Sequence, residues 1–154
     1  MDAGCGSGFP LGAALVEEGL EVYGIDAAPS LVAAFQQNLP GVPVLCGSVL
    51  QSDFFGLRFD AVLAVGLIFL MNEEEQRQLL RVFANILTAE GRLLFTAPAP
   101  HCMWTDIMTG LPSVSLGAEE YRRELALAGL TIRSEFEDAG GNHYFDAQKV
   151  VTSL

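Results

Sequence analysis

The sequence has few basic residues. Eight Lys and Arg stand against 19 Asp and Glu, which gives a formal net charge of −11 and an isoelectric point near 4.4. A surface with this balance repels a phosphate backbone, so we expect no nucleic-acid partner. The acidity is otherwise explained by solubility alone.

Long apolar segments are also missing. The longest apolar run is Ala61–Met71, which contains Gly66 and falls short of the roughly 20 residues that a membrane helix needs. The chain begins Met1-Asp2-Ala3-Gly4, with no basic stretch before an apolar one, which argues against a signal peptide. We therefore expect no membrane association.

Cysteine and histidine are scarce. The three cysteines, Cys5, Cys46 and Cys102, have no C-x-x-C spacing, and there are only two histidines. We interpret the cysteines as reduced thiols of a cytoplasmic protein and expect no metal site.

The composition and the order of patterns predict one α/β domain over residues 1–154. Hydrophobic residues make up 51% of the chain and charged residues 18%, which is enough for one sizeable core. Helix and strand patterns alternate in the first half. The predicted elements are a helix that starts near Leu11 and is stopped by Gly19, a strand at Glu21–Ile25, a helix at Leu31–Asn38 with Ser30 as its N-cap, and strands at Val42–Cys46 and Asp60–Val65.

The second half continues the alternation. Asn72 and Glu75 form an N-x-x-E variant of the capping box before an apolar helical stripe that ends near Gly91. The other predicted elements are a strand at Arg92–Thr96, an irregular stretch at 97–116, a helix at Glu119–Ala128 and a hairpin of Leu130–Phe136 with Tyr144–Val150. Repeated β-α units imply a mostly parallel sheet with helices on both faces and a ligand at the carboxyl ends of its strands.

The first residues form a glycine-rich loop. Asp2-Ala3-Gly4-Cys5-Gly6-Ser7-Gly8 reads G-x-G-x-G directly before the first predicted helix. Glycines let the backbone approach a ligand closely, and a helix N-terminus favours a carboxylate or phosphate. A simple tight turn explains this segment about equally well when it is taken by itself.

An acid follows at the end of the next predicted strand. Asp26 lies 18 residues after Gly8, where a carboxylate can accept hydrogen bonds from both hydroxyls of a ribose. A capping role before Ala27-Ala28-Pro29 would explain Asp26 but not its placement relative to the loop. The two features together indicate a cofactor that carries a nucleoside.

These segments resemble motifs of the class I, Rossmann-like methyltransferases that use S-adenosylmethionine. The loop is similar to the family's first motif, an acid and an apolar residue followed by G-C-G-[ST]-G. Three later segments resemble its strand-two motif, its fourth-strand motif and its L-x-P-G-G-x-L segment: Tyr23-Gly24-Ile25-Asp26, Phe59-Asp60-Ala61-Val62-Leu63 and Leu87-Thr88-Ala89-Glu90-Gly91-Arg92-Leu93-Leu94. Thr88-Ala89-Glu90 departs from the usual Pro-Gly. The resemblance extends over essentially the whole chain and is nearest to the small-molecule enzymes of the broad bacterial type.

The resemblance implies a fold and a set of cofactor-binding residues. The fold would be a three-layer α/β sandwich with a mostly parallel sheet and a C-terminal antiparallel hairpin. Asp2 would orient the glycine loop, Asp26 would bind the ribose, and Ser48 stands where many members have an adenine-binding Asp. The full set implied is Asp2, Ala3, Gly4, Cys5, Gly6, Gly8, Asp26, Ala27, Ser48, Val49, Val65 and Gly66.

The acceptor of the methyl group would bind through the stretch after strand five and the terminal hairpin. Trp104 could stack on it, Asp106 could pair with an amine, and a histidine could act as a base. Each of these residues has an ordinary alternative, which is packing for the tryptophan, capping for the aspartate and a backbone bond for the histidine. The residues predicted to contact the acceptor are Phe69, His101, Trp104, Asp106 and His143.

The start of the chain leads to a further expectation. Only Met1 precedes Asp2, whereas a Rossmann-like sheet needs a strand of about five residues before the glycine loop. We therefore expect the sequence to be truncated at its N-terminus, with the first strand largely missing, and to be less stable and less active than an extended protein.

Two other functions fit part of the pattern. A dehydrogenase that uses a nicotinamide cofactor shares the loop and the ribose acid, but its usual motif is G-x-G-x-x-G rather than G-x-G-x-G. A non-catalytic binding module would keep the fold without turnover, and Ser48 together with the expected truncation leaves that alternative open. Methyl transfer needs no catalytic triad, because holding an acceptor in line with the methyl group supplies much of the rate.

Overall fold

The computed structural model describes residues 1–151, which contain four α-helices and nine strands. The chain divides into two compact units, Met1–Leu57 and Arg58–Leu154. None of the helices in the described range is long and apolar enough to cross a membrane.

The first unit is a layer of parallel strands with helices. Strands β1 (Asp2–Ala3), β2 (Gly24–Asp26) and β3 (Val44–Cys46) are parallel, and β2 lies between the other two. Helix α1 spans Leu11–Glu17 and helix α2 spans Pro29–Asn38. The apolar contacts centre on Phe35, which is fully buried and packs with Cys5, Ala13, Leu39, Val42 and Val44.

Three elements of the first unit have boundaries that differ from the prediction. Strand β3 begins at Val44 rather than at Val42. Helix α2 begins at Pro29 with Ala28 as its N-cap, so Ser30 is not the cap. Proline suits the first helical position, because its missing N–H has no partner within the helix there. Strand β2 begins at Gly24 rather than at Glu21 and ends at Asp26.

The second unit holds a parallel pair of strands and the predicted terminal hairpin. Strands β4 (Phe59–Ala64) and β5 (Leu87–Thr96) are parallel, and β9 (His143–Lys149) pairs antiparallel with both β5 and β8 (Leu130–Glu137). The hairpin is therefore confirmed, and β8 is the strand at the edge.

Helix α3 (Glu73–Ile86) begins at the predicted capping box. Asn72 Oδ1 accepts a hydrogen bond from the Glu75 N–H at 2.9 Å, and Glu75 Oε2 accepts one from the Asn72 N–H at 3.0 Å. Leu79, Leu80 and Phe83 are fully buried, as the apolar stripe predicted. The helix ends earlier than predicted, because Leu87 already begins β5.

Buried aromatic rings connect helix α4 (Ala118–Leu127) to the strands of the second unit. Phe95 stacks on Phe145 with ring centroids 4.9 Å apart, and Tyr121 meets the two rings at 5.4 and 5.3 Å. The Tyr121 hydroxyl donates a 2.6 Å hydrogen bond to Gln76 Oε1, which gives this polar atom a partner inside the core.

The prediction of an irregular stretch at 97–116 is wrong. Strands β6 (Cys102–Thr105) and β7 (Pro112–Ser115) form an antiparallel hairpin there. Distant residues hold it in place, since the Gln76 amide donates to the Val114 carbonyl at 2.8 Å and the Ser115 hydroxyl donates to the Pro98 carbonyl at 2.6 Å. These contacts are tertiary, which is why the local pattern did not indicate strands.

Candidate cofactor and acceptor sites

The glycine loop adopts the backbone conformation that its sequence requires. Gly4, Gly6 and Gly8 have φ angles of 73°, 56° and 85°, in the left-handed region that side chains disfavour. The loop is anchored to β2, because the N–H groups of Gly4 and Cys5 both donate to the Ile25 carbonyl, at 2.8 and 3.0 Å. The loop therefore stays at the carboxyl end of β2.

Asp26 lies against this loop. Its Oδ2 accepts a 2.9 Å hydrogen bond from the Gly6 N–H, and its Oδ1 accepts one of the same length from the Ala28 N–H. Each carboxylate oxygen has two lone pairs, so both oxygens can still accept a hydrogen bond from a hydroxyl. The structure thus brings together the loop and the acid that the sequence linked by spacing alone. The remaining lone pairs of the carboxylate can accept hydrogen bonds from the hydroxyls of a nucleoside ribose.

Gly6 and Gly8 differ in what surrounds them. A Cβ atom built on Gly6 would meet nothing within 4 Å, whereas one on Gly8 would lie 2.8 Å from Leu39 Cδ1. Gly6 therefore leaves open space beside Asp26, and Gly8 allows the loop to pack closely against the end of α2.

Asp2, in β1 just before the loop, and Cys5, within the loop, are both buried. Burial is the main cause that raises the pKa of Asp2 to about 6, with the charge of the N-terminus acting in the opposite direction. Burial, together with the negative charges of Asp2 and Asp26, raises the pKa of the Cys5 thiol to about 12. Cys5 is therefore a packing residue with an unreactive thiol.

A shallow cavity lies at the carboxyl ends of β2 and β3. Ser48 lines it, and its hydroxyl accepts a 3.2 Å hydrogen bond from the Leu50 N–H. Val49 is buried, whereas Ala27 is exposed. Three further polar residues line this cavity, namely Gln51, Ser52 and Asp53. The sequence patterns did not indicate them, because they lie in a loop after β3 that contains no recognisable motif.

In the second unit, Val65 and Gly66 follow the end of β4. Gly66 has a φ angle of 70°, and its N–H donates a 2.8 Å hydrogen bond to Thr96 Oγ1 at the end of β5. Thr96 is buried and fixes this turn, a role that sequence reasoning missed. A threonine at the end of a predicted strand does not by itself indicate such a role.

Three of the five residues predicted to contact the acceptor line one cavity. We call this cavity, formed by Phe69, Ala97, Pro98, Trp104, Gly141, Asn142 and His143, the aromatic cavity. Phe69 and Trp104 are tilted at 51° with ring centroids 5.3 Å apart. The structure thereby brings Phe69, Trp104 and His143 together.

His101 and Asp106 lie elsewhere. His101 Nε2 is 3.2 Å from Glu73 Oε1, and His101 lines a different cavity with Gly117 and Glu120. Asp106 Oδ2 accepts hydrogen bonds from the N–H and the hydroxyl of Thr109, at 2.8 and 2.9 Å. Asp106 therefore caps the β6–β7 turn.

His143 has two acidic neighbours on β8. Its Nε2 is 2.9 Å from Glu135 Oε2, and its Nδ1 is 3.8 Å from Glu137 Oε1. Arg122 of α4 binds Glu135 with two nitrogens, at 2.5 and 3.0 Å. The arginine is the main cause that lowers the pKa of Glu135, so this carboxyl is ionised at neutral pH.

Within residues 1–151, no group of three or more His, Cys, Asp or Glu side chains is placed to hold a metal ion.

The fold and the loop place this chain among known enzymes. A family model described as a methyltransferase domain matches residues 1–91, which is more than half of the chain. The chain belongs to this methyltransferase family. It is an S-adenosylmethionine-dependent methyltransferase with a Rossmann-like α/β fold. No curated protein matches it in sequence.

Solved structures of methyltransferases share this fold. An amino pentose methyltransferase of calicheamicin biosynthesis from Micromonospora echinaspora, with bound S-adenosylmethionine, is 19% identical at a TM-score of 0.79, and the match covers 97% of this chain and 82% of that one. The magnesium protoporphyrin IX methyltransferase of Synechocystis is 21% identical at 0.78, with 96% and 72% covered. The 1,6-didemethyltoxoflavin-N1-methyltransferase of Burkholderia thailandensis is 21% identical at 0.79, with 97% and 70% covered.

Proposed function

We propose that this chain transfers the methyl group of S-adenosylmethionine to a small-molecule acceptor by in-line displacement. The observation that carries the proposal is the pairing of Asp26 with the Gly6 N–H at the carboxyl end of β2. The cofactor, when bound, supplies a methyl group on a sulfonium, which is already a good leaving group. The protein mainly has to bind and orient the two reactants.

Asp26 would bind the ribose through the remaining lone pairs of its two carboxylate oxygens. The open space beside Gly6 would admit the cofactor, and Asp2 would hold the loop from below. Ala27, Ser48 and Val49 would lie along the adenine, and backbone groups of Val65 and Gly66 would meet the methionine end. The glycine loop, with Ala3, Gly4, Cys5 and Gly8, would follow the methionine part.

The aromatic cavity is the proposed acceptor site. Its two rings offer flat apolar surface, and His143 and Asn142 add polar groups, a mixture typical of small-molecule sites. The solved enzymes of similar fold are named for an amino pentose, magnesium protoporphyrin IX and 1,6-didemethyltoxoflavin, which supports a small molecule as the acceptor.

Residues 1–154 would act as one methyltransferase domain, because the family match runs from residue 1 to residue 91 and so includes parts of both units. The three free cysteines support a cytoplasmic location. The net charge of −11 argues against nucleic acid as the acceptor.

The test is a screen of small acceptors for release of S-adenosylhomocysteine. The wild-type chain should produce it with at least one acceptor. Asp26→Ala should reduce the cofactor affinity by roughly ten- to a hundredfold, as expected for lost hydrogen bonds to a charged group. Asp106→Ala is the control, because Asp106 caps the β6–β7 turn and lines neither proposed site. It should leave the cofactor affinity unchanged. Equal affinities for Asp26→Ala and the wild type would refute the assignment.

A further inference from the structure

The aromatic cavity has an unusual balance of lining groups. No Lys, Arg, Asp or Glu lines it among the described residues, and His143 is its one titratable side chain there. A charged acceptor would find no counter-ion in such a cavity, whereas a neutral ring can lie against Phe69 and Trp104. The lining therefore favours a neutral planar acceptor.

The hydrogen-bond partner of His143 defines which of its nitrogens carries the hydrogen. Glu135 Oε2 is 2.9 Å from Nε2, and an ionised carboxylate can only accept. Nε2 must therefore be the donor, which leaves the lone pair of the neutral imidazole on Nδ1.

The position of Glu135 is itself fixed. Arg122 contacts both carboxylate oxygens, with Nε on Oε1 at 2.5 Å and Nη2 on Oε2 at 3.0 Å. Such a bidentate pair sets the plane of the carboxylate. The side chains of Glu135 and His143 are only 16% and 15% exposed, so water competes little for this bond.

The other charged groups around His143 are less closely bound to it. Glu137 Oε1 is 3.8 Å from Nδ1, beyond hydrogen-bond distance, and its side chain is 66% exposed. Asp138, in the adjoining turn, accepts hydrogen bonds from the Gly140 N–H, from the backbone and side chain of Asn142 and from the Tyr144 hydroxyl.

We propose that His143 is the base that takes the proton from a neutral planar acceptor with an N–H or O–H group. Glu135, held by Arg122, is the positioning residue that keeps the hydrogen of His143 on Nε2. This inference rests on the proposed function, because it assumes that the aromatic cavity binds the acceptor.

The step balances without a further reactant. The acceptor heteroatom forms a bond to the methyl carbon as the bond from that carbon to sulfur breaks, and the electron pair of the broken bond stays on sulfur. The proton of the heteroatom passes to the lone pair on Nδ1. The resulting imidazolium is stabilised by the charge of Glu135.

Nitrogen NMR of the histidine rings tests the positioning role without any cofactor. In the wild type, the His143 signals at high pH should be those of the Nε2–H tautomer, with His101 assigned through His101→Gln. In Glu135→Gln, the side-chain oxygen of the glutamine should accept the shorter hydrogen bond from Arg122. Its amide nitrogen should then donate to Nε2 of His143. The population should then shift to the Nδ1–H tautomer.

Glu137→Gln is the matched control and should keep the wild-type tautomer. A wild-type ring with its hydrogen on Nδ1, or a Glu135→Gln ring identical to that of the control, would overturn the positioning role. If Glu135→Gln does not fold, the tautomer of His143 in the wild type still tests the positioning role of Glu135.

Calorimetry with 2-naphthol and its saturated analogue decahydro-2-naphthol tests the acceptor class. We expect 2-naphthol to bind at least tenfold more tightly, and Trp104→Ala to remove the difference. Equal affinities would overturn the planar-acceptor inference. A failure of the proposed function would be distinct, because the wild type would then release no S-adenosylhomocysteine with any acceptor whatever the tautomer of His143.

Discussion

At the scale of single residues, two glycines of the loop have different roles. Gly6 and Gly8 share a left-handed backbone, yet only Gly8 packs against Leu39. A side chain at either position should strain the backbone by about 1 kcal/mol. Only at Gly8 would it also collide with a neighbour.

Gly8→Ala should therefore destabilise the protein by about 1–3 kcal/mol more than Gly6→Ala does, which is the usual range for overpacking. Urea unfolding of the two variants measures the difference. Gly6→Ala should instead reduce cofactor affinity with a smaller loss of stability. Equal unfolding free energies would contradict this division of roles.

Asp2 should make stability depend on pH. Its pKa is raised from 3.8 to about 6 in the folded protein, so the folded state keeps a proton that the unfolded chain has already released. The contribution of Asp2 to stability is therefore present below about pH 4 and is lost as the pH rises through 6. A shift of about two units corresponds to roughly 3 kcal/mol.

Asp2→Asn removes this titration. The variant should gain stability relative to the wild type as the pH rises from 4 to 7, by at most about 3 kcal/mol, and urea unfolding across this range measures the gain. A constant difference between the two proteins would show that Asp2 does not titrate with a raised pKa.

Residue roles were predictable where spacing along the chain defines them. The loop and Asp26 were found because a glycine motif and the end of the next strand are both visible in sequence. Glu135 was missed as a partner of His143, because the contact depends on the register across the β8–β9 hairpin, where Glu135 lies opposite Phe145 and Glu137 opposite His143. A pattern of alternation does not define that register.

At the scale of elements, the departure from the family motif at Thr88-Ala89-Glu90 has a structural consequence. Glu90 stands at a position where the resembling motif has glycine, and its φ angle is 63°. Its side chain is exposed, so nothing in packing offsets the strain. An L-residue in this conformation costs about 1 kcal/mol or more.

Glu90→Gly should stabilise the protein by about 0.5–1 kcal/mol, since the relief of strain exceeds the extra entropy of glycine in the unfolded chain. Glu90→Ala is the matched control, because it removes the same charge and keeps the Cβ atom. Chemical unfolding should place the glycine variant about 1 kcal/mol above the alanine variant. The reverse order would show that the backbone at this position is not strained.

The elements of this chain differ in how far local sequence determines them. Helix α3 was predictable because its capping box and apolar stripe are both local. The β6–β7 hairpin was not, because Gln76 and Ser115 hold it through contacts to Val114 and Pro98 that no local pattern reveals. Tertiary contacts overrode a composition typical of loops.

At the scale of the whole molecule, alternating strand and helix patterns predicted the α/β class. The solved methyltransferases that cover 97% of the chain confirm the Rossmann-like fold at TM-scores near 0.79. The identity of the acceptor could not be predicted in the same way, because the proposed acceptor site, the aromatic cavity, combines residues after β4, after β5, along β6 and in the terminal turn. These residues are distant in sequence and belong to no common motif.

The most direct test of the account is calorimetric titration of the wild-type chain and Asp26→Ala with S-adenosylmethionine and with NAD. The wild-type chain should bind S-adenosylmethionine in preference to NAD, because its loop reads G-x-G-x-G rather than G-x-G-x-x-G. The loss of the carboxylate in Asp26→Ala should weaken the binding of S-adenosylmethionine at least tenfold. Binding of NAD in place of S-adenosylmethionine, or an undiminished affinity in Asp26→Ala, would contradict the central claim.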